Sequence, residues 1–311
     1  MVVTPKAPDG DGMRAELKDH RSGFVAILGR PNVGKSTLLN QLLGEKIAIV
    51  SPKPQTTRNR ILGIKTLPQA QMVLLDTPGI HRARSLLNRR MVDTAKRSIE
   101  EVDLALWVLD VRAGIKGEDE DIGMLLKERG GPSLIVLNKI DAVAKVQLLP
   151  VMERCVAILP ATDIVPISAR RGDNMAVLVD EIVKCLPVGP RYYPEEELTD
   201  QSERFIASEI IREKIFLLTR QEVPYATAVT IDSFQEKKEG ALAVIAATIH
   251  AERETQKPIL IGKGGAALKR IGEGARAELE RFLGCKVYLE LAVTVSPAWT
   301  RDPRTLAEFG L

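Results

Sequence analysis

The stretch Gly29-Arg30-Pro31-Asn32-Val33-Gly34-Lys35-Ser36 constrains this chain more than any other. An apolar run, Phe24 to Leu28, precedes it, and Thr37-Leu38-Leu39-Asn40-Gln41-Leu42-Leu43 follows with the composition of a helix. Strand, glycine loop and helix in that order are the context of a phosphate-binding P-loop. Gly29 and Gly34 let consecutive N–H groups turn inward toward phosphate oxygens, and the helix that starts there adds its partial positive end. Lys35 brings a full charge to the outer phosphates, and the Ser36 hydroxyl suits a Mg²⁺ ligand.

Strand and helix patterns alternate beyond the loop. Apolar runs at Met72–Leu75, Leu104–Leu109, Leu134–Leu137 and Ile164–Ile167 read as strands. Helical patterns fall at about Ser85–Glu101, Glu118–Arg129, Val146–Leu159 and from Asn174 to Leu186. Between Gly44 and Leu62, prolines and polar residues predict a loop and a candidate switch segment. The alternation implies an α/β fold, a doubly wound and mainly parallel sheet, whose ligands bind beyond the carboxyl ends of the strands. Asp76-Thr77-Pro78-Gly79, Asn138-Lys139-Ile140-Asp141 and Ser168-Ala169 all sit at strand ends.

Each of these has a chemical reading. Asp76 can hold the Mg²⁺ shell, and the Gly79 N–H can reach a terminal phosphate. A carboxylate at Asp141 accepts both donors on the Watson–Crick edge of guanine, which adenine does not offer. An unpaired buried polar group costs ~1–3 kcal/mol, so Asp141 selects GTP over ATP. Asn138 and Lys139 brace base and P-loop, and Ser168-Ala169 offers a backbone N–H to guanine O6. Nucleotide contacts are therefore expected at Gly29, Arg30, Pro31, Asn32, Val33, Gly34, Lys35, Ser36, Thr37, Asp76, Thr77, Pro78, Gly79, Asn138, Lys139, Asp141, Ser168, Ala169 and Arg170.

The second half follows a different order. Pro187 to Asp200 carries three prolines and an acidic run, and reads as a linker in which Tyr192 and Tyr193 pack against a domain. A helix over about Ser202–Leu218 and a hairpin pair, Ala228–Phe234 with Leu242–His250, lead to Pro258-Ile259-Leu260-Ile261. Gly262-Lys263-Gly264-Gly265, a helix to Leu283 and a strand over Lys286–Val295 complete a small α+β module. Gly-x-x-Gly between such elements is the layout of a KH domain, which clamps about four nucleotides. Ile261, Gly262, Lys263, Gly264, Gly265, Lys269 and Arg270 are the RNA-binding candidates, with Ile259, Ile261 and Ile271 lining a base groove. Trp299 is read as packing rather than stacking on RNA.

The expected division is a flexible tail over 1–20, a P-loop GTPase domain over 21–187, a linker over 188–200 and a KH domain over 201–311. Composition adds limits: the net charge of the 311 residues is only +3, and residues 201–311 hold 16 Lys+Arg against 15 Asp+Glu. Such balance favours a short single-stranded target over non-specific coating of a duplex. Cys155 and Cys185 lie in apolar helical stretches, read as buried inert thiols of a reducing cytoplasm. No apolar run approaches the ~18 residues of a membrane span, and residues 1–21 lack a secretory signal.

Taken together, the four nucleotide motifs and the glycine loop resemble the translation-factor-type GTPases, closest to the Era family, over essentially the whole chain from Gly23. The resemblance implies a type II KH domain and a slow GTPase whose catalytic set is Lys35, Thr57, Asp76 and Gly79. It implies Gln55-Thr56-Thr57-Arg58 as switch I, with Thr56 or, preferably, Thr57 joining Ser36 and Asp76 on Mg²⁺ when GTP is bound. It further implies binding to the 3′ end of small-subunit ribosomal RNA in 30S assembly by a monomeric cytoplasmic protein, with peripheral membrane association as an alternative setting. A second alternative is an RNA-binding module in which GTP is mainly structural. Ile80 stands where Ras-like GTPases place the water-orienting glutamine, so the water must be held otherwise. Asn32 is the P-loop asparagine that related GTPases use with K⁺, or a backbone brace.

Overall fold

The computed structural model describes residues 19–80, 85–237 and 240–311. The first element, β1 (Arg21–Leu28), runs straight into the P-loop, and α1 (Lys35–Leu43) leaves it. An antiparallel pair follows, β2 (Ile61–Leu67) with β3 (Ala70–Asp76). Then α2 (Leu86–Glu100), β4 (Leu104–Asp110), α3 (Gly117–Arg129), β5 (Ser133–Asn138), α4 (Leu148–Ile158), β6 (Ile164–Pro166) and α5 (Met175–Cys185) alternate as expected. The sheet order is β2-β3-β1-β4-β5-β6, parallel except for β2. Parallel order brings the carboxyl ends of β1, β3, β4, β5 and β6 to one edge, so every nucleotide motif meets there.

Both faces of the sheet are covered, which explains the uninterrupted apolar runs. In β4, Leu104, Leu106 and Val108 pack with α1 and α5, while Ala105, Trp107 and Leu109 pack with α2, α3 and α4. The start of α2 is capped by Ser85, whose side chain accepts from Asn88 N; such caps contribute about 1 kcal/mol. Cys155 is buried and its thiol is pushed up to about 12 by burial, whereas Cys185, expected to be buried, is only partly so.

Two readings of irregular segments are corrected. Ile61 and Leu62 do not close the switch loop but open β2, because β3 offers an edge that pairs from Ile61 opposite Asp76 to Leu67 opposite Ala70. Residues 188–200 pack on the first lobe, as expected for Tyr192 and Tyr193. Ile64 N donates to Leu198 O at 2.8 Å, Gln71 Oε1 accepts from Tyr192 N and Tyr193 N, and the Tyr192 ring lies 5.2 Å from that of Phe24. At the other end, His20 is 6% exposed and its carbonyl accepts from Gly189 N, so it belongs to the fold rather than to a tail; residues 1–18 lie outside the described residues.

The C-terminal lobe begins with α6 (Glu203–Leu218), capped by Ser202. Its sheet, β7 (Thr227–Lys237), β8 (Leu242–Ala251) and β9 (Lys286–Val295), pairs β7 antiparallel and β9 parallel to β8. Short α7 (Lys257–Ile261) and long α8 (Ala266–Leu283) flank the glycine loop, and α9 (Pro303–Glu308) ends the chain. Ile206, Ile210, Ile211 and Ile215 of α6 join the core cluster that also holds α1 and one sheet face, so one apolar core runs through both lobes.

Candidate nucleotide and RNA sites

At the carboxyl edge of the large sheet lies a cleft of about 530 Å³ lined from Arg30 to Thr37, by residues 49–52 and 55–57, and by Gly79, Asp110, Arg112, Ala113 and Lys139. Gly34 has φ of 103°, and a Cβ there would lie 2.3 Å from Asn138 Nδ2. Only glycine fits both the turn and that close approach. Gly79 is constrained by space alone: a Cβ would lie 2.6 Å from Pro31 N. The terminal-phosphate motif is thus pressed onto the P-loop, and Thr77 Oγ1 ties it to Ile27 O at 2.8 Å.

Lys35 Nζ lies over the loop, donating to Gly29 O at 3.1 Å and Arg30 O at 3.0 Å. Burial lowers its pKa to about 8, partly offset by Asp76 and furthered by Arg30. A buried ammonium bonded only to carbonyls lacks a full counter-charge, which phosphate oxygens would supply.

Three oxygens converge beside it. Ser36 Oγ donates to Asp76 Oδ2 at 2.6 Å and lies 2.8 Å from Thr57 Oγ1, which is 3.3 Å from Asp76 Oδ2. Asp76 Oδ1 is buried with no hydrogen-bond partner, and burial raises the carboxyl's pKa despite nearby Lys35 and the hydroxyls. An orphaned carboxylate oxygen beside two hydroxyls fits a hard, oxygen-preferring cation such as Mg²⁺. Ser36, Thr57 and Asp76 would hold it, and its charge would neutralise the developing charge on the phosphates. Thr56 turns away, with Oγ1 on Ser51 Oγ at 2.7 Å and Lys53 O at 2.9 Å. Ile80 is 8% exposed and packs in the apolar cluster of Leu28 and Leu62, away from any water-orienting role.

The base end is built by Asn138, whose Nδ2 donates to Val33 O at 2.8 Å, and by Lys139, whose Nζ donates to Asn32 O at 2.5 Å. Asn32 Nδ2 itself donates to Pro52 O at 3.0 Å, linking P-loop to switch segment as a brace does. Lys139 also pairs with Asp110 at 2.8 Å, a residue that no motif marked. Burial works against the Asp110 carboxylate, but hydrogen bonds from Arg112 and Lys139 outweigh it and hold the pKa at about 2. Ser168 Oγ donates to Asp141 Oδ1 at 2.7 Å and lowers its pKa, so the carboxylate is an acceptor at neutral pH. Ser168 N donates to Asp173 O and Ala169 N to Asn138 Oδ1, so a guanine O6 would share one of these N–H groups. Arg170 is exposed beside them.

In the C-terminal lobe, Gly262 to Gly265 form a tight turn between α7 and α8, with Gly264 at φ of 60°. Lys263, Gly264, Lys269 and Arg270 are exposed, and Ile261 and Gly265 partly so. An open groove beside the loop is lined by Gly265, Leu268, Lys269, Gly272, Glu273, Arg276, Leu289 and Leu291. Its apolar wall therefore differs from the expected one. Ile271 is fully buried on the core face of its own helix, α8, and Ile259, 50% exposed, does not line the groove. Leu289 and Leu291 alternate along β9, and that period of two was the overlooked signal. Trp299 is buried, its indole N–H donating to Ala226 O at 3.2 Å.

Comparison with known proteins follows this division. Residues 24–139 match the family model "50S ribosome-binding GTPase", and residues 222–300 match "KH domain". The "GTPase Era" of Syntrophus aciditrophicus (strain SB) is 51% identical over 290 residues, 93% of this chain and 95% of that protein. That of Geotalea uraniireducens (strain Rf4) is 54% identical over 293 residues, 94% and 98% of the two. A point variant of Aquifex aeolicus Era bound to GDP·AlF4⁻ superposes with a TM-score of 0.90 at 45% identity, covering 93% of this chain and 99% of that one. An Era complex with MgGDPNP and nucleotides 1506–1542 of 16S ribosomal RNA gives the same TM-score and identity over 94% and 99%. With the nucleotide cleft on one lobe and the glycine-loop groove on the other, the chain belongs to the Era family of GTPases that carry an RNA-binding KH domain.

Proposed function

We propose that this GTPase acts in small-subunit ribosome assembly: GTP sets the grip of the C-terminal groove on the 3′ end of 16S ribosomal RNA, and hydrolysis releases the particle. The observation that carries this reading is the packing of the switch segment along α6. Lys46 Nζ pairs with Glu213 at 2.8 Å, Val50 N donates to Glu213 Oε1 at 2.9 Å, and Lys53 Nζ donates to the carbonyls of Phe216 and Thr219. A loop that rearranges with the γ-phosphate thus bears directly on the helix that supports the RNA lobe, and a ligand favouring one arrangement shifts the population of both. The resident ligands on this reading are GTP or GDP and Mg²⁺, held by the residues described above, with K⁺ as an activator.

The nucleotide dependence of RNA affinity is the test. Binding of a single-stranded oligoribonucleotide of the 16S 3′ end is measured with GMP-PNP, GDP and no nucleotide, and equal affinities would remove the switch. Multiple-turnover phosphate release separates it from an RNA-binding module with structural GTP. The same reading places the protein in the cytoplasm as a monomer. Among the described residues no helix is long and apolar enough to cross a membrane, and liposome sedimentation tests peripheral attachment.

A further inference from the structure

Arg58 follows Thr57 in the chain, yet its side chain leaves the nucleotide cleft. It is 5% exposed and reaches into the C-terminal lobe. Nη1 donates to Thr227 O at 2.7 Å, and Nη2 to Tyr225 O at 2.9 Å and Pro224 O at 3.3 Å. The guanidinium carbon lies 5.5 Å from the centroid of the Trp299 ring and 6.0 Å from that of Phe216. Three carbonyls and two aromatic faces leave the group a single orientation. On the other side of Thr57, Arg212 Nη2 donates to Thr56 O at 2.5 Å while its guanidinium pairs with Glu209. The two residues flanking Thr57 are therefore both held by the C-terminal lobe, and Thr57 alone turns to Ser36 and Asp76.

Consecutive Cα atoms are about 3.8 Å apart and the peptide between them is planar, so displacement of the Arg58 anchor passes to Thr57 with little slack. The opposite is true of the P-loop, which keeps its shape through bonds within the first lobe. GDP needs the P-loop and the base-end residues. Only the triphosphate state calls on Thr57.

We propose that Arg58 is a positioning residue for hydrolysis: gripped by carbonyls of the C-terminal lobe, it holds Thr57 at the magnesium site, so the second lobe completes the catalytic site of the first. This rests on the reading of Thr57 as a magnesium ligand in the GTP state. It adds a direction of control to the proposed function, since whatever moves the C-terminal lobe also sets the hydrolysis rate.

The test uses the full chain with Arg58→Ala, Arg58→Lys, Arg212→Lys and Thr57→Ala, measuring kcat and KM for GTP, the Mg²⁺ concentration for half-maximal rate, and the Kd for GDP. A lost transition-state contact lowers kcat without touching uniform binding. Arg58→Ala is expected to lower kcat by about tenfold or more and raise the Mg²⁺ requirement, with GDP Kd within about twofold of the parent. Arg58→Lys recovers part of the rate, because an ammonium can still reach one or two of the carbonyls. Arg212→Lys, which weakens the grip of the C-terminal lobe on Thr56 O, shows the same split in smaller measure. Parent-like kcat in Arg58→Ala, with Thr57→Ala inactive, overturns the proposal alone. Parent-like hydrolysis by Thr57→Ala overturns the magnesium reading beneath it. If Arg58→Ala loses GDP binding as well, Arg212→Lys decides, and an unchanged kcat and Mg²⁺ requirement there overturns the proposal.

Discussion

Lys35 makes the affinity of this protein for nucleotide a function of pH above neutrality. Its ammonium is buried, bonded to two backbone carbonyls, and its pKa is lowered from 10.5 to about 8 by burial. The shift corresponds to about 3 kcal/mol against the charged form. A lysine with a folded value below its unfolded one weakens the empty protein at neutral pH, and that cost is relieved as pH rises from about 8 toward 10.5. Bound phosphates reverse the balance by pairing with the ammonium. Binding of GDP then draws a proton onto Lys35: about a tenth of one at pH 7, about half at pH 8 and about nine-tenths at pH 9. The Kd for GDP weakens about tenfold between pH 7 and pH 9. Isothermal titration calorimetry in buffers of different ionisation enthalpy counts the protons directly. Uptake near zero at pH 8 and 9 with an unchanged Kd would refute the desolvated ammonium; proton release would refute its sign.

Asp141→Asn should move preference from GTP toward xanthosine triphosphate, because an amide matches the 2-oxo group where the carboxylate matched the amine; competition binding with both nucleotides reads it, and unchanged GTP affinity contradicts the base-reading role. Gly264→Asp meets no steric bar, since a Cβ there finds nothing within 4 Å and the backbone lies in the left-handed region that Asp tolerates. It should weaken RNA binding by at least about tenfold through charge repulsion at phosphates, measured by fluorescence anisotropy, with GDP affinity as the folding control. Exchanging K⁺ for Na⁺ should slow phosphate release if Asn32 serves a cation, whereas equal rates leave it as the brace seen in its bond to Pro52. Truncation after Asp302 removes α9, whose Leu306 packs with Leu87 and Met91 of α2, and frees Arg90 from Leu311 O. It should lower the thermal midpoint of the protein by calorimetry, and an unchanged midpoint would count against that packing.

The chain alone settled whatever depends on residues close in sequence. A P-loop, an Asn-Lys-x-Asp and a Gly-x-x-Gly each carry their chemistry within eight residues, and parallel strand order obliges the first two to meet at one edge. What faces what across the lobes was not written there. In an extended segment neighbouring side chains point to opposite sides, so Thr56, Thr57 and Arg58 read alike as polar loop residues until the position of the second lobe is known. Only the fold shows Thr57 turned to Ser36 and Asp76 while Arg58 is buried among the carbonyls of residues 224, 225 and 227. The same cause explains Ile271, whose helix could have shown either face to the groove, and residues 188–200, whose prolines signal irregular backbone but not its partners. Local sequence fixes which groups can react; burial and side-chain direction depend on what packs against them, and that is a property of the whole chain.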